Sequence, residues 1–457
     1  MRVLAVDFGT SNTVAMVRGA DGRARPLLFD GAPLLPSAVY LDQQGRLLVG
    51  RDAERSARLD PARFEPNPKR RVDDGTVLLG DRELPVPELV AAVLRQVGAE
   101  AYRQLGGVDE LRLTHPARWG EQRRQVLVTA ARAAGLPVPR LVAEPVAAAS
   151  YYTAVLGSAV PPGRALAVYD LGAGTFDASV VRRTPTGFDV LAEQGLAEVG
   201  GLDFDQALVE HLGRGYSESR TQMWNSLVAP ADPGQRRQRA LLYDDVRGAK
   251  EMLSRTTRAD VHLPALDISA HVTRDELETL IRPLLARTVD CLARAVAAAR
   301  LAPADLVGIF LVGGSSRIPL AAHLIHTGLG VAPTTLEQPE TVVAEGALCL
   351  GAPTGVPHGG HSGVPRPVTG AHPTARARVA AASPVVTALP TSGAPVSPAF
   401  APPPTPPPRP PVIAAPVAAR PPAPTRSWYE EPLAAWTAAL GAMVVIALVV
   451  LLVVALR

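Results

Sequence analysis

Two segments far apart in the chain carry the same pattern, and this repeat is the strongest constraint on the fold. Residues 3–13 and residues 167–177 each run as an apolar strand followed by Asp, Gly and Thr. A motif that recurs within one chain indicates a duplicated fold. The polar and glycine positions of the pattern are Asp7, Gly9, Thr10 and Ser11 in the first copy, and Asp170, Gly172, Gly174, Thr175 and Asp177 in the second.

The residue types of this pattern suit a phosphate ligand. Glycine lets the backbone approach a phosphate closely, and the free N–H groups of a tight turn cradle anions. A carboxylate at the end of a buried strand suits Mg²⁺ and its waters. Two such loops facing each other would clamp a nucleoside triphosphate. A single copy of so short a motif is equally well explained by an ordinary hairpin turn.

Lysine usage gives an independent indication. Of the 46 residues that are Lys or Arg, only Lys69 and Lys250 are lysines. Lysine is a compact point charge with three rotatable donors, whereas arginine is a planar fork. A site that holds one phosphate oxygen and one water has a reason to keep the point charge. Either lysine alone is also compatible with an ordinary surface position.

Residues 1–352 alternate strand-like and helix-like segments, which indicates an α/β architecture. The predicted strands are 3–6, 38–41, 47–49, 111–114, 165–169, 178–181, 189–193 and 309–312. The predicted helices are 87–104, 120–134, 203–213, 235–254, 274–300 and 319–324.

Charge and cysteine usage exclude some classes of protein. The net charge is +3, but seven Arg lie beyond residue 352, so residues 1–352 are slightly acidic and are not predicted to bind nucleic acid. Cys291 and Cys349 have no metal-binding spacing and indicate reduced residues of a cytosolic protein. The N-terminus begins on a strand and shows no signal-peptide pattern.

The composition changes at residue 353. Residues 353–432 hold 22 prolines in 80 positions and no acid before Glu430. Such a segment buries too little apolar surface to offset its ordering entropy, so a disordered Pro/Ala-rich linker with polyproline II character is predicted. A passive tether and a docking site for a proline-binding module both remain open.

The last segment predicts a membrane anchor. Residues 433–456 are 24 uncharged residues rich in Val, Leu, Ile and Ala, and about 20 apolar residues span a bilayer. Trp428, Tyr429 and Trp436 stand at its start, where interface aromatics are common. Arginines precede the segment more often than they follow it, which predicts a single-pass anchor in the cytoplasmic membrane with residues 1–352 in the cytoplasm. A buried soluble helix is the alternative.

Together the motifs resemble the nucleotide-binding domain of the DnaK-like seventy-kilodalton heat-shock chaperones, in the actin-like ATPase superfamily. The resemblance covers roughly residues 1–352 and depends on the order and spacing of further motifs. Sugar kinases and filament proteins of the superfamily share the two loops but not generally these other motifs. The other motifs lie at 67–70, 113–119, 140–149, 200–205, 249–254 and 310–319.

The resemblance implies a duplicated actin-like (ribonuclease H-like) fold of two lobes. Lobe I would span residues 1–163 and lobe II residues 164–352, with the terminal helix returning to lobe I. ATP or ADP with Mg²⁺ would bind between the lobes, and K⁺ is a further candidate ion. Residues 353–457 resemble neither the family's peptide-binding β-sandwich nor its helical lid.

The resemblance also implies roles for single residues. Lys69 would meet the γ-phosphate and the attacking water, Lys250 the ribose, and Arg317 the base, while Pro145 and Arg124 would act as an allosteric switch. Glu144 and Asp177 both remain open as the proton acceptor or as structural carboxylates. The implied catalytic residues are Lys69, Glu144, Asp170, Thr175 and Asp177, and the residues for hydrated Mg²⁺ are Asp7 and Asp170. The implied nucleotide-binding residues are Gly9, Thr10, Ser11, Gly172, Gly174, Thr175, Gly201, Lys250, Ser254, Gly313, Gly314, Ser315, Arg317 and Glu340.

Three positions depart from the family pattern. Ala173 replaces the middle glycine of the second loop, which stiffens the loop or demands a negative φ. Arg247 stands where the family usually has a Glu that accepts the ribose hydroxyls. Leu202 replaces an acid after Gly201.

Three functions are consistent with these observations. The first is a membrane-anchored, slow ATPase of this chaperone family, which acts in protein folding and stress response, working on a separate protein client or with a co-chaperone. The second is a nucleotide-sensing scaffold with little turnover, whose Pro-rich tail recruits partners. The third is a membrane-attached actin-like filament protein, against which the heat-shock-specific motifs weigh.

Overall fold

The computed structural model describes residues 1–216 and 220–350, and its elements alternate between strands and helices. The strands are β1 (Val3–Phe8), β2 (Asn12–Arg18), β3 (Ala24–Pro26), β4 (Leu34–Pro36), β5 (Val39–Leu41), β6 (Leu47–Val49), β7 (Phe64–Glu65), β8 (Thr76–Leu79), β9 (Arg82–Pro85), β10 (Glu110–His115), β11 (Arg140–Ala143), β12 (Ala165–Leu171), β13 (Phe176–Arg183), β14 (Phe188–Leu196), β15 (Arg258–Leu263), β16 (Ile268–Thr273) and β17 (Leu306–Val312). The helices are α1 (Arg51–Ala57), α2 (Val86–Leu105), α3 (Glu121–Ala133), α4 (Glu144–Ala154), α5 (Gly201–Tyr216), α6 (Thr221–Val228), α7 (Pro233–Leu253), α8 (Arg274–Ala298), α9 (Pro319–Leu329) and α10 (Val342–Cys349).

Every predicted strand and helix overlaps one of these elements, so the α/β prediction is confirmed. The sequence pattern missed several short strands and the helices α1, α4, α6 and α10. Helix α4 shows why: Ala147, Ala148 and Ala149 are all buried, and so are Glu144 and Tyr152. A helix that is buried on most of its faces has no apolar period to detect.

The first sheet is built around β1. It has six strands in the order β11-β10-β1-β2-β3, with β4 paired to β2. β1 is antiparallel to β2 and parallel to β10, which in turn is parallel to β11. Asp7 stands near the end of β1, opposite Val14 in the hairpin. The hairpin turn therefore begins directly beyond this carboxylate.

The second sheet repeats this arrangement. Its order is β14-β13-β12-β17, in which β12 is antiparallel to β13 and parallel to β17. Asp170 stands near the end of β12, opposite Asp177 in the hairpin. The duplication predicted from the repeated motif is thus visible in the strand order. The lobe boundary between residues 163 and 164 stays a prediction.

Helix α10 fastens the end of the described chain to the first sheet. Its Ala344 and Leu348 share an apolar cluster with Val3 and Met16 of that sheet. A Cβ atom at Gly346 would overlap the carbonyl oxygen of Ala147 in α4. The two helix backbones therefore approach so closely that only glycine fits at this position.

A buried arginine completes the attachment of α10. Arg112 in β10 is 3% exposed, and it donates to the carbonyl oxygens of Ala347, Leu348 and Leu350 at 2.9, 3.1 and 2.6 Å. The last carbonyls of a helix have no partner within the helix. Arg112 supplies those partners from the centre of the first sheet.

The linker predicted at 353–432 and the anchor predicted at 433–456 lie outside the described residues. Within the described ranges, no helix has both the length and the apolar content needed to cross a membrane.

We expect Gly346→Ala to lower the free energy of unfolding by about 1–3 kcal/mol, because the added methyl group forces α10 away from α4. The matched control is Gly248→Ala in α7, where a Cβ meets nothing within 4 Å. This control should stabilise the chain by about 0.5–1 kcal/mol through helix propensity. Thermal unfolding of both variants measures the difference, and equal midpoints would contradict the packing argument.

Candidate functional site

The two repeated loops meet face to face. A Cβ atom at Gly174 in the second loop would lie 2.8 Å from Cγ2 and 3.2 Å from Oγ1 of Thr10 in the first. The start of α5 supports the second loop, because the Gly201 N–H donates to Gly172 O at 3.0 Å and the Leu202 N–H donates to Ala173 O at 2.8 Å. Ala173 takes no positive φ, which agrees with the expected negative φ. The loops predicted to clamp a triphosphate are therefore in contact.

A buried serine holds the first loop in place. Ser37 is fully buried, and its hydroxyl donates to Gly9 O at 2.9 Å while its N–H donates to Ser11 O at 2.8 Å. The hydroxyl of Thr13 lies 2.9 Å from the Ser37 hydroxyl. Sequence reasoning missed Ser37, because a single serine between two short strands carries no motif.

The first lysine forms an ion pair close to both loops. Lys69 lies in a 3₁₀ turn, Pro68–Arg71, and its Nζ donates to Glu144 Oε1 at 3.0 Å. Glu144 is the first residue of α4, directly after β11. The ammonium group also stands 5.6 Å from the centre of the Trp119 ring, a distance at which a cation is attracted to an aromatic face. Pro145 follows Glu144, and both residues line a small cavity together with Asp170 and Asp177.

The carboxylates around this pair are strongly coupled by charge. Burial raises the pKa of Glu144 to about 7, against the opposing effect of Lys69. Burial also raises the pKa of Asp170 well above its ordinary value, and the neighbouring carboxylates of Glu144, Asp177 and Asp7 add to this. Burial alone would lower the pKa of Lys69, but Glu144, Asp7 and Asp170 together raise it. The site therefore favours a bound cation.

Two of the carboxylates have partners that the sequence analysis did not assign. The Thr114 hydroxyl donates to Asp7 Oδ1 at 2.7 Å. The Arg118 Nε donates to Asp177 Oδ1 at 2.5 Å, and the Thr175 hydroxyl donates to Asp177 Oδ2 at 3.3 Å. Thr114 and Arg118 both lie in the 113–119 motif, so a signal was present, but their targets depend on the fold.

The second lysine lies in a separate group of residues. Lys250 in α7 is 7% exposed and Asp205 in α5 is 2% exposed. Their charged atoms are 2.7 Å apart, and the Lys250 ammonium donates to Gly201 O at 2.8 Å. A Cβ at Gly201 would lie 2.6 Å from the Ser315 hydroxyl and 3.1 Å from Lys250 Nζ. The structure thus brings Lys250, Gly201 and Ser315 together, as the resemblance implies.

The loop after β17 reaches the carboxylate end of the second sheet. Gly313 has a φ of 82°, in the left-handed region that glycine adopts freely. A Cβ there would lie 2.6 Å from Asp170 Oδ1. Arg317 and Glu340 form a partly exposed ion pair at 3.4 Å. Gly314 opens the same 3₁₀ turn as Arg317, and Ser254 directly follows α7, one turn beyond Lys250.

Two residues that the sequence analysis singled out, the predicted switch residue Arg124 and the departure Arg247, are not joined to these groups. Arg124 in α3 pairs with Glu121 of its own helix at 3.0 Å. In the described part of the chain, Arg124 has no hydrogen bond to any of the implied catalytic residues. Arg247 pairs with Asp244 on the surface of α7, also at 3.0 Å.

The residues present fit a hydrated Mg²⁺ and a triphosphate. No group of three or more metal-binding side chains occurs among residues 1–216 and 220–350. Two carboxylates, Asp7 and Asp170, supply the charge that a water-coordinated Mg²⁺ needs when phosphate oxygens provide further ligands. A Cβ atom at Gly9, Gly174 or Gly313 would lie within 3 Å of a neighbouring atom, so these positions have room only for glycine. This combination matches a phosphate cradle.

We expect Lys250→Met to destabilise the chain by about 3–5 kcal/mol, because Asp205 is left as an uncompensated buried charge. The double variant Lys250→Met/Asp205→Leu should recover most of that loss. Arg247→Met breaks an exposed pair on the same helix and should cost less than about 1 kcal/mol. Thermal unfolding without nucleotide checks all three, and a mild effect of Lys250→Met would contradict a structural role for the pair.

Comparison with known proteins gives a consistent result. A family model described as Hsp70 protein matches residues 65–355. The chaperone protein DnaK of Thermotoga neapolitana is 33% identical over 362 residues, which cover 77% of this chain and 59% of that protein. DnaK of Thermotoga maritima matches equally well, at 33% identity over 362 residues.

A second group of relatives carries a different name. The chaperone protein HscA homolog of Burkholderia pseudomallei is 36% identical over 374 residues, which cover 75% of this chain and 57% of that protein. The chain thus spans less than two thirds of the length of the curated relatives it matches. The family match extends over more than half of the chain and includes Lys69, Glu144, the second loop and Lys250. On this evidence the chain belongs to the Hsp70 family.

Proposed function

We propose that the chain binds Mg²⁺–ATP between its two sheets and hydrolyses it slowly to ADP and phosphate. The observation that carries this proposal is the Lys69–Glu144 ion pair, at 3.0 Å, beside two glycine loops in contact. Phosphoryl transfer to water requires charge neutralisation and an oriented nucleophile more than covalent chemistry. A buried cation paired to a carboxylate next to a phosphate cradle supplies both.

The chain's own residues divide the work. Asp7 and Asp170 would hold a hydrated Mg²⁺, which would supply charge neutralisation at the phosphates. Lys69 binds the γ-phosphate and orients the water. Glu144, with its pKa raised to about 7, accepts the proton near neutral pH. Asp177 is the weaker candidate for that step, since Arg118 and Thr175 occupy both of its oxygens.

In this proposal the adenosine part of ATP binds around Gly313 and Lys250. Ser315, Gly314 and Arg317 follow β17 as a turn, which presents backbone and guanidinium groups for the base. Lys250 forms an ion pair with Asp205 and donates one hydrogen bond to the Gly201 carbonyl oxygen. A further donor of the ammonium group remains for a ribose hydroxyl. Arg247, held by Asp244, replaces an acceptor there and weakens ribose binding.

The hydrolysis cycle acts on a separate protein. The relatives that the chain matches are named as chaperones, and the Pro-rich composition of residues 353–432 favours a spacer over a peptide-binding domain. We place the client or co-chaperone near the cytoplasmic face of a membrane, because the uncharged residues 433–456 are long enough to form an anchor. The Pro-rich residues 353–432 serve as the spacer.

The first test measures Mg²⁺-dependent ATP binding and turnover of the full-length chain. Lys69→Ala should lower turnover by about a hundredfold or more, with ATP still bound, because it removes a charge used in the transition state. Asp170→Ala should lose Mg²⁺-dependent binding as well. Arg132→Ala, on an exposed turn of α3, is the control and should match the parent. Tight binding without turnover would instead establish a nucleotide-sensing scaffold.

The second test concerns the anchor. Ile446→Arg with Val450→Arg should release the chain from carbonate-washed membranes, since each arginine at the centre of a spanning helix costs about 2.5–3.5 kcal/mol. The matched control places Val412→Arg and Val417→Arg in the linker and should stay with the membranes. Equal partition of the two double variants would refute the anchor.

A further inference from the structure

Arg118 connects the two sheets at the hydrolytic site. It lies in a turn after β10, closed by the bond from the Trp119 N–H to Pro116 O at 3.0 Å. Its Nε reaches across to Asp177 Oδ1, at 2.5 Å, on β13 of the other sheet. The side chains of this pair are 28% and 16% exposed. In the described residues, the two terminal nitrogens of the guanidinium have no hydrogen-bond partner.

The neighbouring strand leaves space for this contact. Gly195 on β14 is the register partner of Asp177. A Cβ atom at Gly195 would lie 2.9 Å from Arg118 Nε and 2.9 Å from Asp177 Oδ1. Any other residue would therefore press on both partners of the ion pair. The absence of a side chain at Gly195 lets the Arg118 guanidinium lie against Asp177.

A further carboxylate lies on the same side of the site. Glu193, two residues before Gly195 on β14, lines the cavity together with Asp177, Glu144 and Ala117. Its Oε2 is buried, and no hydrogen bond to it is found within residues 1–216 and 220–350. Burial and Asp177 raise the pKa of Glu193, while Arg118 opposes them. Glu193 therefore adds a poorly compensated negative charge beside Asp177.

The site holds more carboxylates than cations. Asp7, Asp170, Glu144, Asp177 and Glu193 surround the cavity and its loops, and Lys69 is paired to Glu144. In the part of the chain that the structure describes, Arg118 is the cation that pairs with Asp177 and acts on Glu193. Removing it leaves two adjacent carboxylates facing the phosphates, where like charges repel.

We propose that Arg118 is a positioning residue of the hydrolytic site, which fixes the Asp177 carboxylate from the opposite sheet and offsets the charge of Asp177 and Glu193. This inference rests on the proposed ATP hydrolysis. Asp177, held at Oδ1 by Arg118 and at Oδ2 by Thr175, orients the attacking water while Glu144 accepts its proton. Because the contact crosses between the sheets, it is complete only when they are close together.

The test is the steady-state kinetics of the full-length chain with Mg²⁺–ATP. Arg118→Gln should lower kcat by about tenfold or more and leave KM within about twofold, because Asp177 acts on the water and not on the bound nucleotide. Arg118→Lys should stay within about threefold of the parent, since the contact uses a single nitrogen and a lysine keeps the charge. Arg132→Gln is the matched control and should equal the parent.

A charge-compensation variant separates this role from a structural one. Arg118→Gln/Glu193→Gln should recover about threefold in kcat over Arg118→Gln, because the excess negative charge is reduced. A kcat of Arg118→Gln equal to the parent would overturn the inference, and so would a Lys variant as impaired as the Gln variant. If Arg118→Gln fails to fold, the kcat of Arg118→Lys is the deciding measurement, and a loss of more than about threefold relative to the parent would overturn the inference. A parent that binds Mg²⁺–ATP without turnover would instead refute the hydrolase, and this inference with it.

Discussion

The ion pair between Lys69 and Glu144 is the interaction on which the candidate site depends. Its two members come from separate segments, a 3₁₀ turn and the first turn of α4, and they meet at 3.0 Å beside the carboxylates of both sheets. A cluster of several buried carboxylates is unfavourable unless cations offset its negative charge. Lys69 supplies one cation and Arg118 another, and the hydrated Mg²⁺ proposed at Asp7 and Asp170 would offset further negative charge. Stability and ligand binding are therefore coupled at this point.

Close backbone contact is the second constraint. The two loops touch at Gly174 and Thr10. Just before α5, Gly200 packs on the second loop, where a Cβ atom at Gly200 would lie 2.6 Å from the Ala173 carbonyl oxygen. Each contact requires a residue without a side chain, so Gly174 and Gly200 serve the packing of the second loop. Ser37, from outside both motifs, fixes the first loop through its hydroxyl and its N–H. A cradle with few internal degrees of freedom binds a ligand without a large ordering cost.

The family and the arrangement of this chain raise different questions. The family match covers residues 65–355, which include the second sheet, the second loop and both lysines. How the proposed ATP hydrolysis is used is a separate question, because the chain spans 59% and 57% of the length of its DnaK and HscA relatives. The Arg118–Asp177 ion pair joins the turn after β10 to β13 of the second sheet. This contact is where a change in the distance between the sheets would alter the active site.

The sequence alone predicted the α/β architecture and the duplication that the strand orders show, and it named a set of candidate site residues, because Asp-Gly-Thr turns, apolar periods and rare lysines are local signals. It also located Lys250, yet only the folded chain revealed that Asp205 occupies its ammonium group at 2.7 Å. The partners Ser37, Thr114, Arg118 and Glu193 escaped the sequence, since a hydrogen bond between residues 59 positions apart, as for Arg118 and Asp177, leaves no local pattern. Helix α4 escaped for a related reason, because burial on most of its faces removes the period that identifies a helix. Tertiary structure decides these features because they depend on which strands and turns are brought together, and a linear pattern does not encode that.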